Sequence, residues 1–320
     1  MNKNLNYSQE QIEQQAIMLG NRLRKNFKRL KKEFAKDGTN SFRLYQLDIP
    51  EIRLLIDKYD DHFVVSEYMR KQTEDPAWLE AMCLAVADVF SVPLSHVHPK
   101  RRQTRPSDGS RRYQRLSRSE NSLLVKESHF NFIVKLDDYI DTGLFFDHRN
   151  TRKFVRSIAE GKKVLNLFSY TGSFSVYAAA GKARLITSVD ASDTYNQWAK
   201  ENFSNNDLET NIHEFVTANV FDFIDRARSD GQTWDLIVLD PPSYSSRGPN
   251  REFSVLDDHP ILIDSTKGLL DKGGICLFST NHQAFRPNHS DLTENNEVTK
   301  EMLTADFRNR APHRCWKIEG

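Results

Sequence analysis

The segment LDPPSYSS, Leu239 to Ser246, sets a carboxylate, two prolines and an aromatic ring directly after the apolar run WDLIVL. Prolines cannot donate backbone hydrogen bonds and hold the chain extended, so Asp240, Pro241 and Pro242 mark a rigid strand end. Tyr244 then offers a fixed face on which a planar base can stack; a surface tyrosine after a proline-capped strand is the plainer alternative. A second segment, NLFSYTGSFS (Asn166 to Ser175), runs from an apolar stretch into a helical pattern with Gly172 alone in the turn. The dinucleotide fingerprint needs three glycines there, partly so that backbone can approach a pyrophosphate. Backbone amides and small hydroxyls suit a ligand without phosphates, and a tight turn with no ligand fits equally well. Asp190, eighteen residues after Gly172, can accept hydrogen bonds from both ribose hydroxyls; a helix cap is its alternative, a role that Ser192 could fill as well. Asn219 can read an adenine edge or serve as a turn residue.

Taken together, these loops describe a nucleoside site with little room for phosphate. S-adenosylmethionine (SAM) has that form: adenosine joined to a sulfonium and an amino acid. The site needs strands to carry its loops, and the second half of the chain supplies them. KVLNLFS, RLITSVD, HEFVTAN, WDLIVLD and ICLFST read as strands separated by helical segments, the pattern of a parallel sheet covered on both faces. In such a sheet, ligands sit beyond the carboxyl ends of the strands at the switch in strand order. APHRCWKIE offers a final, antiparallel edge strand. The fold expected is a doubly wound α/β domain over residues 126–320.

Ahead of it the pattern is mixed α+β. AIMLGNRLRKNFKRLKKEFAKDG has helical spacing and closes at Gly38, a C-cap. SFRLYQLDI and HFVVSEYMR read as strands, and DPAWLEAMCLAVADVF as a helix opened by Asp75 and Pro76. NSLLVKESHFNFIVKL reads as a hairpin. The sequence therefore predicts a polar tail over 1–18 and a small α+β domain over 19–125. It shows neither an internal repeat nor a low-complexity tract.

Hydrophobic residues at 38% and charged residues at 28% fit a globular chain with a charged surface. No apolar run approaches the roughly 20 residues needed to cross a bilayer, and the polar, acidic N-terminus is unlike a secretory signal. Three scattered cysteines without C-x-x-C spacing argue against a zinc or disulfide framework. His96 and His98 form the sole close histidine pair, with no ligand cluster near them in sequence, so no metal is expected. The expectation is a soluble, cytoplasmic protein.

LNLFSYTGSFSVYAAAGKA, SVDASDTY and LDPPSYSS, with DYIDTGLFFDHRNTR, FSTNHQAFR and DFRNRAPHRCW, resemble the SAM-dependent class I ribosomal RNA methyltransferases. Within that family they are similar to the C-terminal module of the bacterial bifunctional 23S rRNA guanine methyltransferase, which forms 7-methylguanosine. NRLRKNFKRLKKEF and FRLYQLDIPEI resemble its small N-terminal region, so the likeness runs from about residue 19 to the end. It implies a Rossmann-like domain in which Phe168, Ser169, Tyr170, Thr171 and Gly172 cradle the methionine part of SAM. Asp190 would bind the ribose and Asn219 the adenine; Asp240 would count among the cofactor-binding residues as well, and with Pro241, Pro242 and Tyr244 would form the transfer site. Arg149 would lie near the cofactor, or form a salt bridge at the domain junction. Asn219 stands where an aspartate is more usual, although its amide oxygen can still accept from the adenine amino group. The second module and the extra RNA-binding domain of the bifunctional protein have no counterpart in this chain.

Methylation of cytosine C5 requires covalent activation by a cysteine, and Cys276 falls inside an apolar strand. Guanine N7 needs neither nucleophile nor base: its lone pair is free, and catalysis is mostly positioning. Methylation of guanine N2 is the nearest chemical rival. N7 faces the deep, narrow major groove of A-form RNA, so the target must be unpaired or flipped out. Net charge is only +1, yet basic residues cluster in NRLRKNFKRLKK and in HPKRRQTRPSDGSRRYQRLSR. Such clustering points to phosphate, with Arg101, Arg102, Arg105, Arg111 and Arg112 as the RNA-binding candidates in 23S rRNA or a pre-50S particle. A non-catalytic RNA-binding assembly factor is the rival class, but it would be free to lose Gly172, Asp190 or the DPP run, and all are present.

Overall fold

The computed structural model describes residues 6–102, 121–246, 252–307 and 310–320. They form two compact units, residues 1–142 and 143–320. The first opens with α1 (Gln9–Phe34), which starts inside the segment expected to be a tail. Ser8 and Gln11 explain the early start: each side chain accepts from the other's backbone N–H, at 3.3 and 2.9 Å, a capping box. Ile12, Leu19, Leu23 and Leu30 then bury one helical face.

Next come β1 (Ser41–Gln46), β2 (Leu54–Tyr59), β3 (His62–Tyr68), α2 (Pro76–Phe90) and β4 (Val97–Arg102). The strands lie side by side in that order, the first three antiparallel and β4 parallel to β3. As expected, Asp75 caps α2 by accepting from the Ala77 N–H at 2.9 Å, and Pro76 takes the first helical position. β5 (Leu123–Glu127) and β6 (Phe130–Val134) make the expected hairpin. Its hydrogen bonds run back to the first unit: Lys126 N–H to Asn40 Oδ1 at 2.8 Å and Ser128 N–H to Thr39 Oγ1 at 2.9 Å. Those bonds hold the hairpin within the compact unit that ends at Thr142.

The second unit contains α3 (Arg149–Ile158), β7 (Lys163–Leu167), α4 (Ser173–Ala180), β8 (Leu185–Asp190), α5 (Asp193–Ser204), β9 (Glu214–Thr217) and α6 (Val220–Ser229). It continues with β10 (Trp234–Leu239), the short β11 (Tyr244–Ser246) and β12 (Glu252–Ser254), α7 (Val255–Lys267), β13 (Leu270–Thr280), α8 (Thr299–Met302) and β14 (Arg314–Glu319). The main sheet has the order β14-β13-β10-β7-β8-β9, parallel except for β14. This is the expected doubly wound arrangement with its antiparallel edge. Leu165, Leu167, Ile237 and Leu239 pack with Phe223 and Ile224 of α6 and Leu262 and Ile263 of α7. The alternate residues Val164, Leu236 and Val238 point the other way and are equally buried, so both faces are covered. The chain leaves β7 toward β8 on one side and returns to β10 on the other, which makes the carboxyl ends of β7 and β10 the switch point. Among the described residues, no helix is long and apolar enough to cross a membrane.

Candidate active site

The turn after β7 is built from unusual backbone. Phe168, Tyr170 and Gly172 all have positive φ, at 57°, 50° and 73°. For the two non-glycine residues this costs about 1–3 kcal/mol each and persists only where neighbours enforce it. The Ser169 N–H donates to the Val189 carbonyl at 3.0 Å and the Tyr170 N–H to Asp190 Oδ2 at 2.9 Å. The Thr171 hydroxyl donates to the Gly143 carbonyl at 2.6 Å, and the Asn202 amide donates to the Thr171 carbonyl at 2.9 Å. Gly172 is required twice, because its φ is left-handed and a Cβ there would lie 2.6 Å from the Ala199 Cβ.

Asp190 joins this turn to the next. Its Oδ1 accepts from the Ser192 N–H at 2.9 Å while Oδ2 holds Tyr170. Burial raises its pKa above the ordinary carboxylate value, and the backbone N–H donors of Ser192, Tyr170 and Ala191 pull it back. The cap of α5 is Ser192, which accepts from the Tyr195 N–H at 3.3 Å, leaving Asp190 outside that role. Asn219 caps α6, its Oδ1 accepting from the Phe221 N–H at 3.0 Å. The adenine role expected for Asn219 would draw on the same amide oxygen, which has a second lone pair.

At the end of β10, Asp240 Oδ1 accepts from the Ser279 hydroxyl at 2.5 Å, and Oδ2 lies 3.4 Å from His148 Nε2. Pro241 is buried and Pro242 half-buried. Tyr244 is 47% exposed, opens the ribbon of β11 and β12, and meets the His282 ring edge-on at 6.1 Å. The structure therefore brings Phe168–Gly172 and Asp190 together, and places Asp240 at the neighbouring strand end. Arg149 is 1% exposed and paired with Asp306, Nη1 lying 3.2 and 3.3 Å from its two oxygens. This salt bridge lies within the second unit, and not at the domain junction that the alternative supposed.

Cys276 is 1% exposed inside β13, and burial pushes its thiol up to about 12; Cys83 is raised to about 12 and Cys315 is raised as well. None is a thiolate nucleophile. The expectation that no ligand lies near His96 and His98 needs correction, because the fold brings Asp61 and His62 beside them. The His62 and His96 rings stack at 4.0 Å with 12° between their planes, and Asp61 and the two imidazoles each offer one ligand atom within 4.8 Å of the others. Arg101 sits 3.3 Å from Glu67 and donates to the Glu74 carbonyl. The side chain of Arg102 and all of Arg105, Arg111 and Arg112 lie outside the described residues. Sequence reasoning missed His148 and His313. The signal for the first was its place in FFDHR, next to the arginine that was singled out.

A family model described as S-adenosylmethionine-dependent methyltransferase matches residues 100–312. The chain is 40% identical over 305 residues to the ribosomal RNA large subunit methyltransferase K of Neisseria meningitidis serogroup B, covering 93% of this chain and 86% of that one. Among solved structures, SMU.776, assigned as a methyltransferase and complexed with SAH, matches with a TM-score of 0.76 and 25% identity over 95% of this chain and 82% of its own. A SAM-dependent methyltransferase from Agrobacterium tumefaciens shares the fold, with a TM-score of 0.55 and 22% identity over 72% and 71% of the two chains.

Proposed function

The chain belongs to the S-adenosylmethionine-dependent methyltransferase family, and from that premise we propose that it methylates N7 of a guanine in the 23S ribosomal RNA of the large subunit. The named activity of the Neisseria relative supports ribosomal RNA as the substrate. When bound, SAM would supply a sulfonium methyl; its transfer to N7 would break the S–CH3 bond, leave neutral S-adenosylhomocysteine and place the positive charge on the purine, with no proton released.

The residues present fit that cofactor. Ser169 Oγ is buried without a hydrogen-bond partner among the described residues, the turn that carries it admits no side chain at Gly172, and a half-buried carboxylate closes the next strand. In this reading Phe168, Ser169, Tyr170, Thr171 and Gly172 hold the methionine part, Asp190 the ribose and Asn219 the adenine edge. Asp240, Pro241, Pro242 and Tyr244 form the corner for the acceptor base, with Tyr244 stacking on it and Asp240 offsetting the charge of the methylated ring.

One observation favours N7 over carbon methylation: Cys83, Cys276 and Cys315 are buried thiols. Carbon methylation needs a nucleophile, and an exocyclic amine must shed a proton; N7 requires neither group. On α1, Lys25, Lys28 and Lys32 are exposed at helical spacing and form a stripe suited to RNA phosphates. Mass spectrometry of rRNA nucleosides from cells lacking the protein tests the proposal. Loss of a 7-methylguanosine is expected; unchanged 7-methylguanosine with a lost N2-methylguanosine overturns it.

A further inference from the structure

Beside Asp240 lies a group of side chains to which none of these roles gives a task. His148, from the turn before α3, is 4% exposed, and its Nε2 faces Asp240 Oδ2 at 3.4 Å. Its ring stacks on that of His313 at 4.0 Å with 23° between the planes, and meets the Phe174 ring edge-on at 5.4 Å. His313, 2% exposed and just ahead of β14, sets its Nδ1 3.2 Å from Asp147 Oδ2. Two separate stretches of chain thus meet the carboxylate at the end of β10, the turn before α3 through His148 and the end of β13 through Ser279, and the approach to β14 backs the first through His313.

The tautomer of His148 follows from its surroundings. A lone pair on Nε2 would be repelled by the carboxylate, so Nε2 carries the hydrogen. The lone pair then resides on Nδ1, which is buried and has no hydrogen-bond partner among the described residues. An aspartate at the end of a strand has two soft torsions, and no single donor fixes both. Here the Ser279 hydroxyl takes Oδ1 at 2.5 Å while the His148 ring faces Oδ2, so the plane of the carboxylate is defined from both ends.

We infer that His148 is a positioning residue for methyl transfer, holding the Asp240 carboxylate in one orientation from Oδ2 while Ser279 holds Oδ1. The inference rests on the reading that Asp240 faces the acceptor base. Its charge logic agrees with that reading: an imidazole held down to about 4 is neutral at working pH, so it orients Asp240 without cancelling the negative charge set against the methylated purine. Asp147 and Arg152 also act on this ring, in opposite directions, and His313 fixes its plane.

The test uses the full chain, SAM and a 23S rRNA transcript. His148→Phe keeps a ring for the stack and removes the donor; kcat falls about tenfold or more, the scale of a misplaced reacting group. SAM affinity by calorimetry stays within about twofold, because the contacts of the His148 side chain are to Asp240, Phe174 and His313 and not to Phe168–Gly172, Asp190 or Asn219, whereas a merely structural role would lower both. His148→Gln, with an amide N–H, recovers part of kcat and keeps the test decisive if the phenylalanine variant melts early. Asp240→Asn lowers kcat by itself, and adding His148→Phe to it brings little further loss. Wild-type kcat in both His148 variants, with Asp240→Asn impaired, overturns the inference alone. Wild-type kcat in Asp240→Asn overturns the reading of Asp240, and the inference with it.

Discussion

At the scale of residues, the site is held by conformations that other side chains cannot adopt. Gly172→Ala introduces a methyl 2.6 Å from Ala199 at a left-handed φ. It is expected to cost about 1–3 kcal/mol of stability and to abolish SAM binding, as read by thermal melting and calorimetry; normal SAM affinity in a folded variant argues against the cradle. Arg149 is expected to behave differently. Arg149→Met leaves Asp306 buried without its cation, so about 3–5 kcal/mol of stability should be lost in denaturant melts. His148 gives a pH signature with a definite sign. Its folded value of about 4 lies below the ordinary histidine value of 6.5, so between those values the unfolded chain binds more protons. Its contribution is fully present above about 6.5 and lost as pH falls toward 4, at about 1.4 kcal/mol per unit of separation. His213 and His259 are lowered too, chiefly by burial, and add in the same direction. Denaturant melts at pH 7.5 and 5 should show a smaller loss in His148→Gln than in the native chain, and equal losses refute the assignment.

At the scale of elements, most strands and helices were legible because each repeats its period several times. The runs of β7, β8, β10 and β13 are apolar on both faces, and α2 announced its start with Asp75 and Pro76. The start of α1 was not read, although S-x-x-Q stood at Ser8 to Gln11, because the surrounding polar residues resembled a tail. Ser8→Ala should cost about 1 kcal/mol in thermal melts, and no change would mean that the first turn is frayed in solution. The hairpin of β5 and β6 was also recognised from sequence, but its membership was not. Its bonds reach Asn40 and Thr39, 86 and 89 residues back, and such long-range pairing has no local signature.

At the scale of the whole molecule, net charge is uninformative and its distribution is the useful quantity. Replacing Lys25, Lys28 and Lys32 of α1 with Gln should weaken binding to a 23S rRNA transcript and reduce the slope of log affinity against log salt by roughly one per lysine that meets a phosphate. An unchanged slope removes α1 from the RNA interface. What the sequence by itself determined was the doubly wound sheet, the family and the segments that lie at its carboxyl edge. Apolar periodicity and the residues that break it are local properties, written into the order of amino acids. What only the tertiary structure decided was partnership. Arg149 belongs to Asp306 across 157 positions of chain, Asn219 caps its own helix, and His313 stacks on the His148 that faces Asp240, from opposite ends of the domain's sequence. Those pairings depend on which strand ends the sheet brings side by side, and strand order is fixed by packing over the whole domain and not by any one segment.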